Sequence, residues 1–172
     1  MANRTILANL NRCTGCWTCS MACKTAHDLE PDQYWQYIRT IGGGMLDEPA
    51  GEWPNLFLKW MPIWKQSCKG CAGDKTTEGK PFCVYNCPTG ALTYGDLDDP
   101  ASEINERLDF FKRLGYRVYE NPKWEDTREG ILYVEKGSAI SNRSEFKDWT
   151  GGNTRDTSGG TIDTKLPGAL GI

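Results

Sequence analysis

Histidine is nearly absent from this chain, with one copy at His27, and no apolar run approaches the roughly 18 residues that a membrane helix needs. Mean hydropathy is −0.58, which agrees with a chain that stays in water. Positive charge is not in excess. Lys and Arg number 20 against 23 Asp and Glu, for a net charge of −3, so no basic footprint for nucleic acid is present. The first residues, Met1 to Thr5, lack a signal h-region and a twin-arginine pair. The chain is therefore expected in the cytoplasm, or outside it when carried by a partner that bears a signal. No nucleophile–base pair stands out, and Gly42-Gly43-Gly44 lacks the lysine and serine of a phosphate loop. No catalytic residue is assigned.

What is plentiful is cysteine. Eight occur in 172 residues, and they fall into two sets. Cys13, Cys16, Cys19 and Cys23 read C-x2-C-x2-C-x3-C. Cys68, Cys71, Cys83 and Cys87 read C-x2-C-x11-C-x3-C, with Pro88 after the last. Disulfides, zinc and iron–sulfur clusters all use close, even-numbered cysteines. Zinc sites favour pairs of C-x2-C and seldom add a third cysteine two residues on. Disulfides need an oxidising compartment. Redox catalysis of the thioredoxin kind needs one C-x2-C pair, not two sets of four.

The spacing suits 4Fe–4S cubanes. Each of four irons takes one thiolate at its outer corner, and cysteines three apart wrap one face of the cube. The fourth cysteine, four positions on, starts a helix and points away. In bacterial two-cluster ferredoxins that fourth cysteine ligates the other cluster. On this precedent Cys13, Cys16, Cys19 and Cys87 hold cluster one, and Cys68, Cys71, Cys83 and Cys23 hold cluster two. Gly15 and Gly70 stand where backbone is expected to approach a cluster closely. Trp17 lies between two ligands, as shield or as ordinary packing. Lys24 follows Cys23, as a charge beside cluster two or as a surface lysine. His27 is read as a surface or hydrogen-bonding residue. Trp53, Trp60 and Trp64 are read as core or interface. Asp47-Glu48 and the group Asp96, Asp98 and Asp99 are read as solvated faces.

The fold class expected is α+β: a bacterial two-cluster ferredoxin-like core with pseudo-twofold symmetry, a β-containing insertion and an extended C-terminal tail. Residues 1–149 form the cluster domain and 150–172 the tail, too rich in Gly, Thr and Asp to bury a core of its own. Strands are expected at Thr5–Leu10 and Ala91–Gly95, with helices over 17–27 and 84–88. The insertion, 24–67, contains strand-like Gln33–Arg39, a turn at Gly42-Gly43-Gly44, and apolar Leu56–Trp64, which Pro62 should interrupt. In the extension 99–135, a helix should begin at Asp99 and Pro100 and run to Leu114, with Gly115 past its end. Ile104, Leu108, Phe111 and Leu114 mark its apolar face. Tyr116–Tyr119 and Ile131–Val134 look like a strand pair.

The run Leu10-Asn11-Arg12-Cys13-Thr14-Gly15-Cys16 resembles the opening of the iron–sulfur (beta) subunits that serve molybdopterin oxidoreductases of the dimethyl sulfoxide reductase family. Their last cysteine set has the spacing found here from Cys68 to Pro88. Those subunits usually carry four sets. The middle two are missing here, so the chain resembles a reduced, two-cluster member. The resemblance touches most of residues 5–135. It implies two 4Fe–4S clusters, a molybdopterin-containing catalytic subunit as partner, a soluble carrier or further redox subunit as second partner, and a role in anaerobic electron transfer without catalysis. It also implies that cluster one lies nearer the catalytic subunit. Two other functions remain open at this point: a free-standing diffusible ferredoxin, which is normally shorter and more acidic, and a structural or oxygen-sensing iron–sulfur module.

Overall fold

In the computed structural model, the apolar opening of the sequence forms strand β1, Arg4–Asn9, buried at every position after Arg4. The residues described are 3–42, 48–71, 75–120 and 126–136. The expected tail, Gly43 and Gly44 of the turn, and Asp47 lie outside them. A strand alternates its side chains between two faces. Ile6 and Ala8 accordingly enter one core, and Leu7 between them enters another.

Helix α1 spans Thr18–His27 and buries Cys19, Ser20 and Cys23, which share one face at helical spacing. It begins at Trp17, which stands in the left-handed region at φ 61°. The insertion follows as a hairpin of β2, Gln36–Ile41, and β3, Lys59–Trp64, paired antiparallel from Gln36–Trp64 to Ile41–Lys59. The Ser20 hydroxyl donates to the Gln36 carbonyl at 2.6 Å and ties α1 to this hairpin.

Pro62 does not interrupt β3, contrary to expectation. Its carbonyl accepts from the Tyr133 hydroxyl at 2.8 Å, away from the ladder. The N and C=O of one strand residue point to the same side, so the missing N–H falls where β2 asks for no donor.

The helix expected over 84–88 is instead α2, Phe82–Tyr85. Pro81 precedes it in an extended conformation. Pro88 disfavours helical geometry at Cys87 before it. Strand β4, Leu92–Asp96, then pairs antiparallel with β1. The next helix also starts later than expected. Asp99 and Pro100 form a turn, the Asp99 carboxylate accepting from the Ala101 N–H at 3.0 Å. Helix α3 runs Glu103–Arg113 from Ser102. Ile104, Leu108 and Phe111 are buried, whereas Leu114 closes the helix and is half exposed. Asp96 is not merely a solvated charge: its carboxylate accepts from the Asn3 and Asp98 amides.

Strands β5, Arg117–Glu120, and β6, Leu132–Glu135, complete a four-stranded sheet in the order β4-β1-β6-β5. β6 runs parallel to β1 and antiparallel to β5. α3 covers one face through Leu7, Val118, Leu132 and Val134. The other face packs against the hairpin and the cysteine-bearing segments through Ile6, Ile38, Ile63, Trp64 and Tyr133. Small sheets with few, separate helices make this an α+β arrangement. Among the described residues no helix is long and apolar enough to cross a membrane.

Candidate metal centres

All eight cysteines line one of two cavities on the hairpin side of the sheet. Cys13, Cys16, Cys19 and Cys87 line the first, which holds about 300 Å3 of space including its open mouth. Cys23, Cys68, Cys71 and Cys83 line the second, of about 370 Å3. Each cavity takes three cysteines from one sequence set and the fourth from the other. The reason is local. Cys19 and Cys23 sit one helical turn apart on α1, and Cys83 and Cys87 are likewise four apart across α2. α1 and α2 pack together, so each helix serves both cavities.

The electrostatics follow the same grouping. Burial pushes the Cys19 thiol up to about 12, with further upward influence from Cys13 and Cys87. Burial pushes Cys23 up to about 12, helped by Cys68 and Cys71. Cys83 rises well above its ordinary value through burial and then Cys68. Cys13 rises through burial, opposed by the Gly15 amide. Cys16 alone among these five falls, chiefly through the Thr18 hydroxyl. Four thiolates in one buried pocket repel one another unless cationic metal stands between them.

Among the described residues, no three of His, Cys, Asp or Glu converge as ligands of a single metal ion would. A cubane carries its thiolates at separate corners. A second observation concerns donors. The indole Nε1 of Trp64 is buried beside the second cavity, makes no hydrogen bond of normal geometry, and has the Cys83 thiol within reach as its acceptor. It stands close enough to Cys83 to favour the ionised thiol. A buried N–H is costly without an acceptor, and cluster or cysteine sulfur would supply one. The residues present therefore fit a 4Fe–4S group.

The glycines of the two loops carry a constraint from the protein itself, beside the expected approach to a cluster. Gly15 has φ +69° and Gly70 φ +61°, which L side chains rarely adopt. A Cβ on Gly15 would lie 2.5 Å from the Trp60 indole, and one on Gly70 would lie 2.6 Å from the Arg128 guanidinium. The two loops thus pass close to these side chains.

Trp17 lines the first cavity and packs edge-on against Tyr34 at 6.0 Å. The Lys24 ammonium donates to the carbonyls of Glu30, Pro31 and Gln33, closing the turn after α1. Its charge also lowers Cys23 slightly against the larger effect of burial. His27 lines the second cavity and stacks at 4.7 Å on Trp35; burial, then Lys69, lowers its pKa. Trp60 and Trp64 belong to the core, whereas Trp53 is 84 % exposed.

Sequence reasoning missed three contributors. The hydroxyls of Thr18 and Thr89 stand 3.4 and 3.6 Å from the sulfurs of Cys16 and Cys87. The repeated Cys-x-Thr spacing was a legible signal for them. Arg128 donates to the Cys68 carbonyl at 2.7 Å and lies 3.5 Å from the Cys68 sulfur. Nothing in the sequence links residues 60 apart in this way.

No protein-family model matches the chain. Similar individual proteins exist. The iron–sulfur subunit of a provisionally named dimethyl sulfoxide reductase of Halobacterium salinarum is 32 % identical over 123 residues, covering 68 % of this chain and 41 % of that protein. The B component of the anaerobic dimethyl sulfoxide reductase of Escherichia coli is 37 % identical over 83 residues, 48 % of this chain and 36 % of its own. The B component of polysulfide reductase of Wolinella succinogenes is 31 % identical over 104 residues, 60 % of this chain and 40 % of its own. The chain thus spans less than half the length of each of these relatives.

Proposed function

The protein belongs to the dimethyl sulfoxide reductase family of iron–sulfur subunits, and we propose that it is a reduced member carrying two 4Fe–4S clusters for a molybdopterin-containing catalytic subunit. It passes single electrons between that subunit and an external carrier or further redox subunit, and performs no bond chemistry itself. The observation that carries this reading is the partition of eight cysteines between two cavities, four to each.

On this reading Cys13, Cys16, Cys19 and Cys87 hold cluster one, and Cys23, Cys68, Cys71 and Cys83 hold cluster two. The clusters, when bound, supply one-electron transfer. The chain's own residues do the rest. Cys19 and Cys23 on α1 and Cys83 and Cys87 around α2 set the two sites side by side, in a core of bacterial two-cluster ferredoxin type. Burial of Cys19, Cys23 and Cys83 keeps water from the inner faces. Cys16, which is exposed, leaves cluster one open at one edge, where an electron can enter or leave. Thr18 and Thr89 supply hydroxyl donors at that cluster and Trp64 an indole donor at the other, and such donors help set potentials.

The test is iron and acid-labile sulfide per chain on the anoxically purified native complex, with the EPR spectrum of the reduced sample. About eight irons with spin-coupled cubane signals is the expected result. About four irons would remove one cysteine set from the reading. Zinc in place of iron would remove electron transfer altogether.

A further inference from the structure

Two N–H groups approach cysteines of the second cavity from outside the cysteine loops. The first belongs to Arg128. Its guanidinium donates to the Cys68 carbonyl at 2.7 Å and stands 3.5 Å from the Cys68 sulfur. Its two terminal nitrogens face Gly70 edge-on, and the missing side chain of Gly70 leaves the room they occupy. The second belongs to Trp64, 1 % exposed, whose indole lines the second cavity together with Cys83. The two are held by one piece of backbone. The Arg128 amide donates to the Trp64 carbonyl at 2.8 Å. Next to it, Lys65 and Thr127 form an antiparallel bridge, and the Gln66 amide donates to the Asp126 carbonyl. The segment after residue 126 is thus clamped to the end of β3, and the clamp delivers a cation and a dipole to one site.

The first cavity is furnished differently. Its sulfurs meet the neutral hydroxyls of Thr18 and Thr89. No guanidinium or ammonium of the described residues hydrogen-bonds a sulfur there, whereas Arg128 does so at Cys68.

We propose that Arg128 and Trp64 are positioning residues that raise the reduction potential of cluster two. This deepens the two-cluster reading and rests on it. Reduction adds one negative charge to a cluster. A fixed cation and N–H donors at the sulfurs stabilise the reduced state more than the oxidised one. A guanidinium 3.5 Å from a ligand sulfur in a partly buried site acts through little water, so the bias is not screened away. Loss of either donor makes cluster two harder to reduce and leaves cluster one as it was.

The experiment is an EPR-monitored redox titration of the anoxic holo-complex, wild type against Arg128→Gln and Trp64→Phe. Trp64→Phe keeps an aromatic ring in the core and removes the donor together with part of the ring volume, so it gives a second reading if Arg128→Gln fails to hold its loop. Each variant is first counted for iron. The expected result is a cluster-two equilibrium shifted about tenfold toward the oxidised form by Arg128→Gln, which is about 59 mV for a one-electron couple, with a smaller shift of the same sign from Trp64→Phe. The cluster-one midpoint stays in place. The proposal is overturned if the variants that retain about eight irons titrate like the wild type, if cluster one moves as far as cluster two, or if both variants simply lose cluster two. Wild-type protein without two clusters would instead sink the reading on which the proposal rests.

Discussion

Gly15→Ala and Gly115→Ala share the same backbone strain and differ in what the new methyl would meet, and Gly15 also lies between two cysteines. Gly15 has φ +69° and Gly115 φ +74°, so an alanine at either is held in the left-handed region. That costs about 1–2 kcal/mol in each. The unfolded chain loses the same freedom in both. At Gly115 the new methyl meets nothing within 4 Å, whereas at Gly15 it lands 2.5 Å from Cδ1 and Cγ of Trp60. Trp60 packs against the core beneath the first cysteine loop and cannot swing out freely. Overpacking of this kind adds about 1–3 kcal/mol. Gly15→Ala should therefore unfold earlier than Gly115→Ala by that margin, about 3–9 °C for a protein of this size. The assay is thermal unfolding of the cluster-loaded chain under anoxic conditions, with iron counted on the same samples. Gly15→Ala should also lose iron from cluster one first, since Gly15 lies between Cys13 and Cys16. Replacing Trp60 by Val in the Gly15→Ala background should recover part of the loss through a favourable coupling. Equal unfolding temperatures for the two alanine variants would refute the collision argument.

Cys13→Ser should remove one cluster's signals and Cys83→Ser the other's, each leaving about four irons per chain. Iron analysis with EPR checks this, and loss of the same signals from both variants would contradict the two-cavity grouping. Tyr133→Phe removes the hydroxyl that donates to the Pro62 carbonyl. It should cost about 1–3 kcal/mol in urea unfolding, because the buried carbonyl is left without its donor. The metal-free chain should also weaken at high pH. Burial raises Cys19 and Cys23 from the ordinary 9.0 to about 12, so the folded state binds those protons more tightly than the unfolded one. Their contribution is full below 9 and is lost as pH rises toward 12. Urea midpoints of the metal-free protein over that range should fall more steeply than those of Cys19→Ser/Cys23→Ser.

The presence and local spacing of the cysteine sets were legible from the sequence because they are a matter of position along the chain. C-x2-C loops and a fourth cysteine one helical turn on are local geometry, and local geometry is written in neighbouring residues. The same holds for β1, with its apolar run Ile6-Leu7-Ala8, and for the interior of α3, where Ile104, Leu108 and Phe111 recur at helical period. Element ends were less legible. The start of α3 at Glu103, not Asp99, came from a competing turn in which Asp99 caps Ala101. The continuity of β3 through Pro62 depended on which way that residue faces, and only the partner strand and Tyr133 decide this.

The environment of the cysteines belonged to the tertiary structure alone. Arg128 reaches Cys68 across 60 residues of sequence because residues 126–128 are clamped to the end of β3. Gly15 meets Trp60 because the hairpin folds back under the first loop. Side-chain chemistry and its spacing along the chain determined what this protein can bind. Which charges and dipoles face each site was decided by contacts between distant segments, and those form only when the cores on the two sides of the sheet close.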